Sequence, residues 1–433
     1  MIKQSFFANR RQSLAEQLSD NSAAIIFSAH EKTRSNDTEY HFRQDSTFYY
    51  FTGFNEPESV LVLIKKESGL QTILFNRDKD ELQEIWHGRR LGQAAALEQF
   101  EIDQALSVDE LSDKLPELIA GCDTVYHDFF DDNDEFIDGL LEALKANPNC
   151  KAPCQLSDLR VISDEMRLFK QQPELAVMRE AAKISSAAHT RAMQQCKAGM
   201  YEYQLEAEIL HHFAMNGARF AAYNTIVGGG ENACILHYTE NESTLNDGEL
   251  VLIDAGCELH GYAADITRTF PINGQFSAPQ KAIYELVLKA QIAAIKLLIP
   301  GNTIKQANDA AIEIMIKGLM ELEILKGDVR KLIDDEAHRA FYMHGLSHWI
   351  GLDVHDVGDY GGKKRTRVLK PGMTLTVEPG LYFSAKPEID AKWHNIGVRI
   401  EDDILITANG NEVLTKDVVK TVDEIEALMS SAN

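Results

Sequence analysis

Acids and imidazoles in the C-terminal part of the chain fall into four short segments whose spacing could serve hydrolytic chemistry. The first is Val251-Leu252-Ile253-Asp254-Ala255-Gly256, continued by Tyr262-Ala263-Ala264-Asp265-Ile266-Thr267-Arg268-Thr269-Phe270. Both halves read as apolar, β-branched strands, with Gly256 and Gly261 punctuating the link between them. A carboxylate in such a strand is costly to bury unless a cation or a donor compensates it. The second segment, Met343 to His355, brings His344, His348 and His355 close together. The third holds Glu378 in Thr376-Val377-Glu378-Pro379-Gly380, and the fourth holds Arg399 and Glu401, which an extended chain would place on one face.

Any one of these acids alone reads as a solvated or hydrogen-bonded carboxylate; the combination is what points to metal. Asp254, Asp265, Glu378 and Glu401 would neutralise two divalent cations, and with His348 they form an oxygen-rich set. Such a set suits Mn²⁺, Co²⁺, Fe²⁺ or Zn²⁺ better than a soft, thiol-seeking ion. Carboxylates bridging two ions about 3.5–4 Å apart make a hydrolytic two-metal centre.

Longer stretches carry a resemblance that covers nearly the whole chain. They are Tyr223 to Glu242 (YNTIVGGGENACILHYTENE), His344 to Gly358 (HGLSHWIGLDVHDVG), Thr374 to Tyr382 (TLTVEPGLY) and, near the start, Thr33 to Pro57 (TRSNDTEYHFRQDSTFYYFTGFNEP). The sequence resembles the bacterial aminopeptidase P branch of the pita-bread metallopeptidase family, which also includes prolidase and methionine aminopeptidase. The resemblance implies an α/β (α+β) architecture: a mixed-sheet N-terminal domain over residues 1–165, then a pita-bread catalytic domain over 166–433. Two pseudo-twofold halves of that second domain would surround a curved antiparallel sheet. The implied activity is removal of the N-terminal residue from peptides with proline in second position, by a hydroxide held between two divalent metals, Mn²⁺ first among them.

By the same resemblance Asp265 and Glu401 would bridge the metals, Asp254 would chelate one, and His348 with Glu378 would complete the other. Glu378 would also take the proton of the attacking water. His237 and His355 match imidazoles that orient the scissile carbonyl, while His344, Tyr382 and Arg399 match the pocket for the proline ring. Asp37 and Trp86 match positions that approach an active site, Trp86 from a neighbouring subunit of a homotetramer or homodimer. His189, His211, His212 and His338 lie in helical stretches without such context. Prolidase, which takes dipeptides alone, and a catalytically silent binding protein are the other readings. The Thr33 to Pro57 stretch favours aminopeptidase P over the first, and the complete set of five ligands argues against the second and against metal-free, creatinase-like chemistry.

The elements that must hold these residues can be read more coarsely. A chain of 433 residues exceeds one ordinary domain. Strand-like runs at Ala23 to Ser28, Phe48 to Thr52, Val60 to Ile64 and Thr72 to Phe75, with a helix-like Glu135 to Ala146, predict an N-terminal α/β domain. The polar Gln155 to Asp158 and the turn into Met166 to Gln172 look like its boundary. Pro173 then opens a helix with Leu175, Met178 and Ala182 on one face, closed by Gly199. A weak echo follows, in which a helix ending at Pro300-Gly301 and a successor at Lys305 repeat the pattern around Gly199 and Tyr203. Gly228-Gly229-Gly230 lacks the context of a phosphate loop and reads as a flexible turn on the substrate side.

Composition narrows the partners. With 43 basic and 67 acidic residues the formal charge is -24, a surface that repels nucleic acid and anionic membranes. There is no apolar run of bilayer length, and residues 1–11 lack the pattern of a signal peptide, so a cytoplasmic location is expected. The six cysteines read as reduced thiols, with Cys257 close to Asp254 as a small buried hydrophobe.

Overall fold

The computed structural model describes residues 2–130, 132–147 and 150–431. Backbone contacts divide the chain into two compact units, the first ending at Arg167 and the second starting at Leu168.

The first unit is built on a six-stranded mixed sheet in the order Gln104–Ser107, Gly69–Asn76, Val60–Lys66, Ser22–Phe27, Thr124–His127, Gln155–Asp158. Val60 to Ile64 are all buried, as expected of a strand with neighbours on both sides and layers on both faces. The helix Asp134–Ala146 lays Ile137, Leu140 and Leu144 at helical spacing onto Val62, Ile73, Phe75 and Val125.

Two expectations fail here. Phe48 to Thr52 is not a strand but part of the helix Ser46–Thr52. Its aromatic residues favour strands, yet the Asp45 carboxylate accepts from the Phe48 amide at 2.7 Å, and Gly53 closes the turn with φ of 63°. Gln155 to Asp158 is not a boundary but an edge strand, parallel to Thr124–His127. An edge strand is paired on one side only, so it can be short and polar. The chain leaves this unit after it, along the helix Arg160–Leu168.

In the second unit, antiparallel ladders are flanked by the helices Gln172–Gln195, Glu202–Met215, Ala278–Leu297 and Ile304–Glu321. The first starts as the sequence predicts: Glu174 accepts from the Gln171 amide at 2.8 Å, and Pro173 sits in the opening turn. It ends at Gln195, short of Gly199, whose positive φ of 89° serves the following turn instead. The helices pack as two successive pairs, which answers to the echo in the sequence. Thr303 begins the fourth with a reciprocal cap to Gln306.

Two small antiparallel sheets carry the acidic segments. One orders Ile226–Gly229, Leu250–Asp254 and Thr267–Pro271; the other orders Thr374–Val377, Asp402–Thr407 and Gly410–Val413. Gly228 and Gly229 are buried strand residues and no flexible turn, because a side-chain carbon at Gly228 would press on the Asn232 carbonyl. All six cysteines are free.

Arg268 and Asp402, both fully buried, tie the two sheets together at 2.7 Å. The same guanidinium donates to the Glu401 carbonyl at 2.5 Å and to Val418 and Val419 carbonyls. Asp402 in turn accepts from Thr415, Gln291 and Lys420. Arg268→Met takes from buried Asp402 one of its two cations and from the Glu401, Val418 and Val419 carbonyls their donor, so it should cost about 3–5 kcal/mol of stability. Urea denaturation measures this, and an unchanged midpoint would show that the pair adds nothing.

Candidate metal centre

The acidic residues sit at the end of a strand or in a short link beside one. Asp254 is the last residue of Leu250–Asp254 and pairs with Ile226 on one side and Thr267 on the other. Asp265 lies outside the expected strand, in the link between Tyr262–Ala263 and Thr267–Pro271. Its amide donates to the Asp403 carboxylate at 3.0 Å. Gly256 lies against this link, and any side chain there would collide with the Ala264 carbonyl.

Backbone bonds outside the ladders bring the remaining residues in. The Glu401 amide donates to the Thr267 carbonyl at 3.0 Å, the Thr376 amide to the His348 carbonyl at 2.9 Å, and the Glu378 amide to the Leu346 carbonyl at 2.9 Å. The first of these bonds joins segments more than a hundred residues apart, and the other two fix the Glu378 segment against the His348 segment.

Asp254, Asp265, His348, Glu378 and Glu401 line one cavity of about 330 Å³. Ligand atoms of Asp265, His348 and Glu401 lie within 4.8 Å of one another. His348 Nε2 is 3.4 Å from both Asp265 Oδ2 and Glu378 Oε1, while Nδ1 donates to its neighbour Trp349's carbonyl at 3.0 Å. A ring nitrogen engaged in this way directs the other toward a metal. Arg399 pairs with Asp254 at 2.6 Å, not with Glu401, and donates also to Thr267 and to the Tyr382 hydroxyl.

The electrostatics show what the cluster needs. Burial, then the charges of Asp265, Glu378 and Asp254, push Glu401 well above the ordinary carboxylate range. Burial likewise raises Asp265, with Asp254 adding to it, and lifts Glu378 to about 7. Burial disfavours the charged His348, but Asp265 and Glu378 overcome it and raise the imidazole to about 9. Burial works against ionised Asp254 too, and there Arg399 and the Tyr223 hydroxyl hold it below its usual value. Four carboxylates thus face two cationic side chains in this cavity, and the protein's own charges leave the group short of cations. A donor set of four carboxylates and one imidazole, short of positive charge and preorganised, fits divalent metal ions.

The other predicted residues divide in two. His237, His344, His355 and Arg399 line the same cavity. His355 crosses the His348 ring edge-on at 4.2 Å between centroids, and both His237 and His355 are exposed at their outer sides. Tyr382 is not among the residues lining it: its ring is buried with Ile226, Tyr238 and Leu252, meets the His344 ring edge-on at 5.5 Å between centroids, and brings its hydroxyl to His344 Nε2 at 2.8 Å. Because His344 Nδ1 donates to the Gly345 carbonyl, Nε2 accepts from Tyr382, which accepts from Arg399. Asp37 and Trp86 belong to the first unit; both are exposed, Trp86 by 81% on the short helix Glu81–His87.

Sequence reading assigned no role to four residues that contact the ligands. The Tyr223 hydroxyl reaches Asp254 at 2.7 Å and Asp265 at 2.5 Å. Thr267 donates to Glu401 at 2.6 Å, Thr376 to Glu378 at 3.1 Å, and Asp403 holds the Asp265 amide. Tyr223 opens one of the quoted stretches and Thr267 follows Asp265 by two, but a lone hydroxyl carries no signal of its partner in sequence.

Known proteins are similar to this chain in sequence and fold. Residues 176–408 match the model of "Metallopeptidase family M24", and residues 7–126 that of "Aminopeptidase P, N-terminal domain". An Xaa-Pro aminopeptidase of Escherichia coli (strain K12) is 54% identical, covering 100% of this chain and 99% of its own. Proline aminopeptidase P II from Yersinia pestis superposes with a TM-score of 0.98 at 54% identity, over 99% of this chain and 100% of its own. A zinc-substituted E. coli aminopeptidase P in complex with product does so with the same score and identity, over 100% and 99%. Two family models in succession and full-length identity above one half, on a chain whose carboxylates converge on a cation-poor cavity, make it a member of metallopeptidase family M24.

Proposed function

We propose that this chain is an Xaa-Pro aminopeptidase, a metal-dependent hydrolase that releases the first residue of peptides whose second residue is proline. The observation that carries this is the convergence of Asp254, Asp265, His348, Glu378 and Glu401 on one cavity that His237 and His355 also line. Full-length similarity to proteins named for that activity supports the substrate class.

Asp254, Asp265, His348, Glu378 and Glu401 would hold the divalent ions. When bound, the ions supply Lewis acidity and bring a water pKa to about 7. Glu378, steadied by Thr376, is assigned as acceptor of the water proton. His237 and His355 donate to the scissile carbonyl as negative charge develops on it. Exclusion of the charged cluster from bulk water strengthens each of these contacts.

Proline has no amide N–H and its ring fixes φ, so recognition must be by shape. His344, locked by Tyr382 and Arg399, is assigned to the wall against which the ring packs. We also infer Mn²⁺ as the working metal, with Co²⁺, Zn²⁺ or Fe²⁺ as substitutes; the oxygen-rich donor set supports a hard or borderline ion. A cytoplasmic location is proposed, and a homotetramer or homodimer, in which Trp86 and Asp37 serve a substrate site, is inferred from the family resemblance. The exposure of Trp86 is compatible with burial against another subunit.

Chelation should abolish activity, and added divalent metal should restore it. Asp265→Ala or Glu401→Ala should lose activity and metal together, with the first unit still folded by circular dichroism and limited proteolysis. Full turnover in either variant after exhaustive chelation would sink the two-metal reading.

His237→Ala and His355→Ala should retain metal yet lose rate by roughly 10²–10³, the range for a lost transition-state donor. Metal analysis beside kcat separates the cases: if metal content collapses, the histidines are ligands.

Arg-Pro-Pro should release its first residue far faster than an Xaa-Pro dipeptide is cleaved, and alanine at the second position should slow cleavage strongly. Mass spectrometry of the products decides this. Cleavage of dipeptides alone would make the enzyme a prolidase, and equal rates for alanine and proline would refute the ring pocket.

A further inference from the structure

His237 and His355 stand on loops, yet a donor that must meet a developing charge tolerates little motion. Each histidine is followed by a residue that reaches away from the cavity to a buried charge. Tyr238, next to His237, donates its hydroxyl at 2.8 Å to Glu202. Asp356, next to His355, pairs with Lys170 at 2.9 Å.

Glu202 opens the helix Glu202–Met215 and is fully buried. One carboxylate oxygen accepts from the Gly229 amide at 2.8 Å and the Asn232 side chain at 3.0 Å; the other accepts from Tyr238 and from the Ser243 amide at 2.8 Å. The segment that carries His237 is thus fastened before, beside and after the histidine to a single carboxylate. Lys170 and Asp356 have side chains 0% and 1% exposed. The Asp356 amide donates to Trp349, and Gly351 lies so close to this pair that any side chain there would strike it.

Buried charges are a poor way to gain stability, since apolar residues of the same volume do as well or better. What they supply is direction, because a charged hydrogen bond fixes distance and angle where packing does not. Neither charge lines the cavity.

We propose that Glu202 and the Lys170–Asp356 pair are positioning residues that aim His237 and His355 by fixing the residue next to each. This rests on the assignment of the two histidines as carbonyl donors. An error of about 1 Å in such a group can cost on the order of 10² in rate.

The test is a pair of double-mutant cycles on the metal-loaded enzyme, with an Xaa-Pro-Yaa peptide and with kcat, KM, metal content and thermal midpoint measured for every variant. Tyr238→Phe removes one hydroxyl from Glu202, and Asp356→Asn weakens the bond to Lys170 while keeping the shape. Each should lower kcat by about tenfold, with KM and metal content unchanged. Tyr238→Phe should lose its effect, to within about twofold, when combined with His237→Ala, and keep it when combined with His355→Ala. Asp356→Asn should show the reverse preference.

Additive losses within the matched pairs, or losses that follow metal content or thermal midpoint instead of the histidine, would overturn the inference. If His237→Ala and His355→Ala themselves leave kcat intact, the failure lies in the roles given to the histidines.

Discussion

Mutual repulsion among Asp254, Asp265, Glu378 and Glu401 is the constraint on which this structure turns. All four reach one cavity, and burial raises the cost of each charge in the presence of the others. Left to themselves these side chains would separate or take up protons. The second unit is organised to prevent the first and to make metal the answer to the second.

It does so with backbone more than with side chains. Ladder pairing sets Asp254 opposite Thr267, and amide bonds from Glu401 to Thr267, from Thr376 to His348 and from Glu378 to Leu346 join the segments. Around them Arg399, Tyr223, Thr267, Thr376 and Asp403 each hold a ligand residue by at least one hydrogen bond. Arg268, paired with Asp402, binds the Glu401 carbonyl from behind and couples the stability of the core to the position of a ligand. Such hydrogen bonds orient the side chains they hold.

The cavity is graded from floor to mouth. Asp265 and Glu401 are nearly inaccessible, 5% and 2% exposed, whereas His237 and His355 present their outer sides to solvent. Carboxylate charge is therefore concentrated where water is scarce and attraction strong, and imidazoles stand on the more exposed part of the lining. The three-part hydrogen-bond chain from Arg399 through Tyr382 to His344 extends this order to the side wall.

The sequence by itself determined which residues could do the chemistry. Asp254, Asp265, His348, Glu378 and Glu401 stand in apolar or glycine-punctuated surroundings, and a charge in such a place is a local, legible cost. The strands Ser22–Phe27, Val60–Lys66 and Gly69–Asn76 and the helix Asp134–Ala146 were also legible, because short apolar runs and helical spacing are properties of neighbouring residues. Phe48 to Thr52 was misread, since its caps, Asp45 and Gly53, outweigh the strand preference of its aromatic residues. Tertiary structure alone decided that Arg399 would pair with Asp254, that the Tyr382 hydroxyl would meet His344, and that Tyr223 would bridge two carboxylates. It also decided that Glu202 would gather the segment around His237. A hydrogen bond between side chains far apart in the chain depends on where folding brings them, and no local pattern of residues records that distance.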